Sequence, residues 1–135
     1  MKRKITSHVT NGLNEELEIV VLDEPGHGNA SHRYYISPKP LQTANTENSE
    51  EISRLVSATC LIVFQNGPIQ EVGVNGISNE ALLAVVEDRL ISFQAGQFSC
   101  RENAIALTHI QEALMWLQKR TRDRVARGVE GLSVK

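Results

Sequence analysis

The sequence predicts an α+β fold, in which a small antiparallel β-sheet lobe in the N-terminal half is followed by a C-terminal antiparallel α-helical hairpin. The first half carries short β-branched runs that stop at proline and glycine, which suits pleated strands and their turns. The second half switches to apolar residues three and four positions apart, the spacing of one helix face. Only a few residues separate the two helical stretches, so the chain must double back between them. These patterns divide the 135 residues into a β-rich lobe over 1–76, with a polar loop near 41–53, and a helical hairpin over 77–135.

Taken in order, the run ELEIVVLD from Glu16 to Asp23 reads as a strand and ends at Glu24-Pro25-Gly26. A second strand covers Arg33 to Ser37 and stops at Pro38 and Pro40. Residues 41–53 are polar without sustained periodicity and fit a loop or a short acidic helix. The stretch TCLIVFQ predicts a buried strand, Asn66-Gly67-Pro68 a turn, and IQEVGV a returning strand, together a β-hairpin. Between Asn79 and Gln94 the apolar residues Leu82, Leu83, Val86, Leu90 and Phe93 recur at helical spacing, with Ser78 as cap and Gly96 as stop. A second helix starts at a capping box formed by Ser99 and Glu102 and runs to about Arg127. Its residues Leu107, Ile110, Leu114 and Leu117 form a seam that faces the first helix or another chain.

With 41% hydrophobic and 22% charged residues the chain has the composition of a folded domain. No run approaches the roughly eighteen apolar residues of a membrane span, and the start MKRKITSHVT lacks a secretory apolar core, so a cytosolic protein without membrane contact is expected. In that reducing compartment Cys60 and Cys100, far apart and without metal-type spacing, are expected as free thiols. The net charge of −2 conceals an asymmetry: up to residue 90 twelve Asp and Glu face seven Lys and Arg, whereas Lys119 to Arg127 holds five basic residues and only Asp123. Positive charge gathered at one end suits a compact anion better than a long nucleic acid, which needs many phosphate contacts.

Nothing in the chain has the spacing of a catalytic or metal motif. His8, His27, His32 and His109 form neither HxxxH nor HExxH, and no paired carboxylates stand out, so no enzyme, metal or cofactor is expected. The segment EPGHGNASHRYY admits two readings. Gly26 and Gly28 could let backbone donors approach a phosphate, with His27, His32 and Arg33 nearby, or the segment is a strand-to-strand turn. The run KRTRDRVAR is more informative, because Arg120, Arg124 and Arg127 share one helix face while Arg122 points elsewhere. Three planar forks on one stripe can hold a pyrophosphate or phosphodiester, or they complement the dipole at the helix C-terminus.

The fragments FQAG-x-F-x-CREN, EALMWLQKRTRDR and RGVEG, preceded by FQNGPIQEVGVNGISNEALLAVVEDRL, resemble the hairpin domain shared by two groups of phage immune-evasion proteins. These are the Thoeris anti-defence sponges and the anti-CBASS sponges, and the resemblance covers roughly Leu61 to Gly131. The β-rich half ahead of the hairpin makes the chain more similar to the first Thoeris anti-defence family than to the shorter, all-helical anti-CBASS group. That resemblance implies a ligand, a cyclic ADP-ribose isomer made by TIR-domain enzymes, held by an aromatic ring, an asparagine and two arginines one helical turn apart. The matching positions are Phe93, Asn103, Arg120 and Arg124. In chemical terms Phe93 can stack on adenine, Asn103 can bond polar edges, and Arg120 with Arg124 can clamp the pyrophosphate. Relatives also hold cyclic di- or trinucleotides in a separate pocket, whose residues the resemblance does not locate in this chain.

The implied function is capture of a cyclic nucleotide signal without cleavage, in the cytoplasm of an infected bacterial host, which would inhibit Thoeris or CBASS defence. The alternative is a small nucleic-acid-binding or regulatory module that uses the same basic helix. Along one helix Asn103 and Arg120 are about 25 Å apart, so a pocket that uses both needs two chains. A dimer with shared pockets is therefore expected, and the resemblance extends this to a hexamer.

Overall fold

The computed structural model describes residues 3–10, 12–43 and 47–135. They form two compact units, Met1–Asn66 and Gly67–Lys135, an antiparallel sheet unit followed by a helical one, as expected for the α+β class.

The first unit is a four-stranded antiparallel meander, β1 (Arg3–Ile5), β2 (Leu17–Val21), β3 (Arg33–Pro38) and β4 (Cys60–Val63), in the order β1-β2-β3-β4. Its register places Val21 opposite both Arg3 and Tyr34, and Tyr34 opposite Ile62. Cross-strand partners lie on one face of the pleat, so Val21, Tyr34 and Ile62 form one row, in which Val21 and Ile62 are buried. Phe64 extends the row by meeting the Tyr34 ring edge to face, with centroids 5.6 Å apart. Between β3 and β4 lie a short turn of helix, α1 (Pro40–Thr43), and α2 (Ser49–Ser57), whose Asn48 cap accepts the Glu51 N–H. The polar stretch 41–53 therefore supplies the start of a short acidic helix; residues 44–46 lie outside the described ones.

The β2–β3 connection is held by Asp23. Its carboxylate accepts the backbone N–H groups of His32 and Arg33, each at 3.0 Å, where β3 begins. Burial would raise the Asp23 carboxyl, but those donors and the adjoining His32 ring outweigh it and hold the group below its ordinary value of 3.8.

In the second unit the predicted returning strand after Pro68 is instead a helical turn, α3 (Ile69–Val72). The Pro68 carbonyl accepts from Glu71 and Val72, Gly73 ends the turn in the left-handed region, and the Gln70 N–H bonds to Gly131 O. The donors that a strand would have offered to β4 are thereby used within the turn and by the C-terminal tail.

Two helices make the hairpin, α4 (Asn79–Ala95) and α5 (Arg101–Ala126). Ser78 caps α4 as expected, its hydroxyl accepting the Ala81 N–H at 3.1 Å, and Gly96 terminates it. The start of α5 differs from the predicted capping box. Ser99 gives its N–H to Gly96 O inside the connection, so the cap falls one residue later on Cys100, whose Sγ accepts the Asn103 N–H at 3.4 Å. On α5 the predicted seam holds: Leu107, Ile110 and Leu117 are half-buried and Leu114 is 9% exposed. On α4 the inward stripe keeps Leu82, Leu83, Leu90 and Phe93 of the predicted apolar one and adds polar residues. Val86 is 42% exposed, while Glu87 and Gln94 are half-buried along with Leu83 and Leu90.

The tail after α5 is organised by Arg124. Its Nε donates to the Glu130 carboxylate at 3.0 Å, Nη2 to the carbonyls of Val129 and Leu132, and Nη1 to that of Val134. The tail in turn grips α3, with Gln70 Nε2 on Glu130 O and the Ser133 hydroxyl on Glu71. Gly131 stands at this crossing with φ +79°, and a Cβ there would come within 2.8 Å of the Gln70 side chain.

Two predictions follow from these contacts. A depressed carboxyl contributes stability that is present above its unfolded value and is lost as pH falls through the folded one. Asp23→Asn should therefore lower the melting temperature at neutral pH and flatten its fall between about pH 5 and about pH 3, read by thermal melts across that range. Arg124→Ala strands three carbonyls and a carboxylate, and should cost the helical unit about 1.5 to 3 kcal/mol. Hydrogen exchange should report the loss as faster exchange across residues 128–135 with α5 largely unaffected.

Candidate functional site

The basic end of α5 forms an open groove of about 730 Å³, lined by Trp116, Lys119, Arg120, Arg124, Arg127 and Lys135 among others. The last turns of α5 supply Trp116, Lys119, Arg120 and Arg124, its C-cap supplies Arg127, and the tail brings in Lys135. Arg120, Arg124 and Arg127 thus meet one groove, as their shared face predicted.

The cations of this groove are not equally available. Lys119 is paired with Asp123 at 2.7 Å, one turn along the helix. Arg127 gives one bond to Lys135 O. Arg124 has four of its five N–H donors engaged by the tail, and its side chain is only 11% exposed. Among the described residues Arg120 has no acceptor for its guanidinium, so its full fork faces solvent over the groove. Trp116, 62% exposed, gives the same wall a large flat apolar surface. An unpaired guanidinium beside an exposed indole is suited to an anion carrying a planar ring.

Phe93 and Asn103 are at the other end of the hairpin. Phe93 is in the last turn of α4, half-buried, with the Arg89 guanidinium 5.3 Å from its ring centroid. Phe98, in the connection, meets it edge to face at 6.3 Å and is itself 66% exposed. Asn103 opens α5, and its carboxamide has no protein partner among the described residues. Neither Phe93 nor Asn103 lines the basic groove. The structure therefore gathers the four expected residues into two pairs, and the seventeen-residue step from Asn103 to Arg120 on one helix keeps the pairs about 25 Å apart.

In the glycine–histidine segment the internal bonds are those of a turn. Gly26 N bonds to Ala30 O, Asn29 N to Gly26 O, and His27 N approaches the Asn66 carboxamide at 3.4 Å. The backbone N–H groups of His32 and Arg33, which a phosphate would otherwise meet, are occupied by the Asp23 carboxylate. Among the described residues no group of His, Cys, Asp or Glu could hold a metal, both cysteines are free, and no helix is long and apolar enough to cross a membrane. Sequence reading did not single out Arg89, Phe98 or Lys135. The four-residue step from Arg89 to Phe93 was a usable signal for the first, whereas Lys135 reaches the groove only through the Arg124-bound tail.

Comparison with known proteins agrees with this architecture. Residues 57–122 match the family model described as Acb2/Tad1, hairpin domain, a span that takes in Phe93, Asn103 and Arg120 and stops two residues short of Arg124. Thoeris anti-defense 1 of Bacillus phage SBSphiJ7 is 41% identical over 112 residues, covering 76% of this chain and 79% of the relative. A hairpin of this family behind a four-stranded sheet, with similarity running through most of both chains, means that the chain belongs to the Thoeris anti-defense 1 family and is a phage anti-defence protein.

Proposed function

We propose that this protein is a sponge: it binds a cyclic nucleotide immune signal, foremost a cyclic ADP-ribose isomer, and withholds it from its receptor without cleaving it. The observation that carries the reading is the unpaired Arg120 fork in a groove shared with the exposed Trp116 and further cations. A pyrophosphate would meet charge-assisted donors there that need not first break an internal ion pair. Cyclic di- or trinucleotides are a second ligand class of the same chemistry. Capture of this kind acts by mass action in the host cytoplasm, so it depends on affinity and number of sites and not on turnover.

In this reading Phe93, Asn103, Arg120 and Arg124 bind the ligand, with Phe93 stacking on adenine, Asn103 bonding polar edges and Arg120 taking the phosphates. Arg124 adds its remaining Nη1 donor and holds the tail that carries Lys135 to the groove. Because the two pairs stand at opposite ends of one hairpin, each pocket is completed by a second chain. Antiparallel pairing brings one chain's turn beside its partner's basic end and yields two equal pockets, with a hexamer as the larger assembly. Exposed apolar residues on both helices, Val85, Ile91 and Met115 among them, support such pairing.

The test is to incubate the protein with a cyclic ADP-ribose isomer, remove unbound ligand, denature by heat and chromatograph the supernatant. Release of intact ligand is expected. A new product would make the protein an enzyme, and no uptake combined with DNA binding would favour a nucleic-acid module on the basic helix.

Arg120→Ala should weaken binding by about one to two decades, equivalent to losing a charge-assisted contact of roughly 1.5 to 3 kcal/mol, with the melting temperature unchanged. Phe93→Ala should weaken binding too and also lower stability, since the ring is half-buried. Refolding the two variants together should restore binding, because each mixed dimer regains one intact pocket of two. Titrations in which the mixture binds no better than either variant alone would exclude shared pockets.

A further inference from the structure

The connection between α4 and α5 contains a chain of contacts whose members touch both Phe93 and Asn103 through their neighbours. Gln94, next to Phe93, is half-buried and places its Oε1 on the Cys100 N–H at 3.1 Å. Cys100 is extended, φ −154° and ψ 164°, and in that pose its Sγ accepts the Asn103 N–H at 3.4 Å. Gly96 N on Phe93 O and Ser99 N on Gly96 O close the loop between them. A side chain from the end of one helix thus fixes the cap of the next, and that cap orders the residue whose carboxamide is left unpaired.

The bridge also explains a departure from the apolar pattern. A half-buried amide costs free energy unless bonded, and an apolar residue at position 94 would have extended the inward stripe of α4. Gln94 repays that cost by satisfying a backbone donor at a helix start, where no intrahelical partner exists. Sulfur is a weak acceptor, so the Cys100 cap depends on the Gln94 bond to hold its backbone in the capping conformation.

We propose that Gln94 and Cys100 are positioning residues for nucleotide binding, holding the Phe93 ring and the Asn103 carboxamide at a fixed separation for one purine and its polar edge. The inference rests on the sponge reading above. Groups held to within about half an ångström bind with little further loss of freedom, so loosening the bridge weakens capture without touching the ligand.

Titration of a cyclic ADP-ribose isomer into four variants of the full chain tests this. Gln94→Met keeps the volume and removes the acceptor; Cys100→Ala removes the cap. Each should weaken binding about tenfold, whereas Cys100→Ser, which restores a good cap, should bind within about twofold of the parent. Ser78→Ala removes the equivalent cap at the far end of α4 and should lower the melting temperature with parent affinity. Parent affinity in both Gln94→Met and Cys100→Ala would overturn the proposal, as would a Ser78→Ala variant that loses affinity in proportion to its melting temperature. If Gln94→Met does not fold, the contrast between Cys100→Ala and Cys100→Ser decides alone. A parent chain that takes up no ligand defeats the sponge reading itself, an outcome distinct from a parent that binds and variants that match it.

Discussion

Two helices in a hairpin can bury only the stripe that each turns toward the other. In this protein that stripe runs along Leu107, Ile110, Leu114 and Leu117 of α5, and Leu114 is the one buried residue of either helix among those described. At about 25 cal/mol per Å² of apolar surface, one seam gives modest stability to two helices of this length. Everything else in the helical unit answers to that constraint. The connection is tied by side-chain bonds and the far end by a tail, and apolar residues such as Val85, Ile91 and Met115 remain exposed.

Arg124 is the tie at the far end. One planar guanidinium meets three carbonyls and a carboxylate, a set of acceptors that a lysine, with its single ammonium, could not span. By ordering the tail it joins α5 to α3 and places Lys135 on the groove, so a residue on the basic stripe also builds the wall of that groove. Arg120, one turn earlier, is left without an acceptor among the described residues. The two arginines have the same side chain and the same helix, and their surroundings give them different work. This division leaves one guanidinium of the groove without an acceptor among the described residues while a second cation holds the tail.

The sheet unit repeats the same economy with a carboxylate. Asp23 gathers two backbone donors at the entry to β3, the strand whose Tyr34 lies opposite Val21 on one side and Ile62 on the other. Bonds of this kind explain why the Gly26–Arg33 segment, whose glycines and histidines invite a phosphate, behaves as a turn. A cradle needs backbone donors that point outward, and those of Gly26, Asn29, His32 and Arg33 already have an acceptor within the chain.

Local chemistry was legible in the sequence wherever one residue type acts through its own neighbours. The β-branched strands, the Ser78 cap, the heptad-like seam of α5 and the shared face of Arg120, Arg124 and Arg127 all follow from spacing along the chain. The family resemblance was legible too, because its residues cluster in one hairpin. Three features were decided by contacts between positions distant along the chain or by competition for the same donor. The segment after Pro68 became a helical turn because the tail supplies a bond to Gln70 from Gly131, sixty-one residues away. The α5 cap moved from Ser99 to Cys100 because Ser99 had already bonded to Gly96 and Gln94 reached across from α4. Arg124 was separated from Arg120 by a tail whose path no periodicity encodes. Spacing determines which face a side chain occupies, and only the folded chain determines which of its donors are already taken.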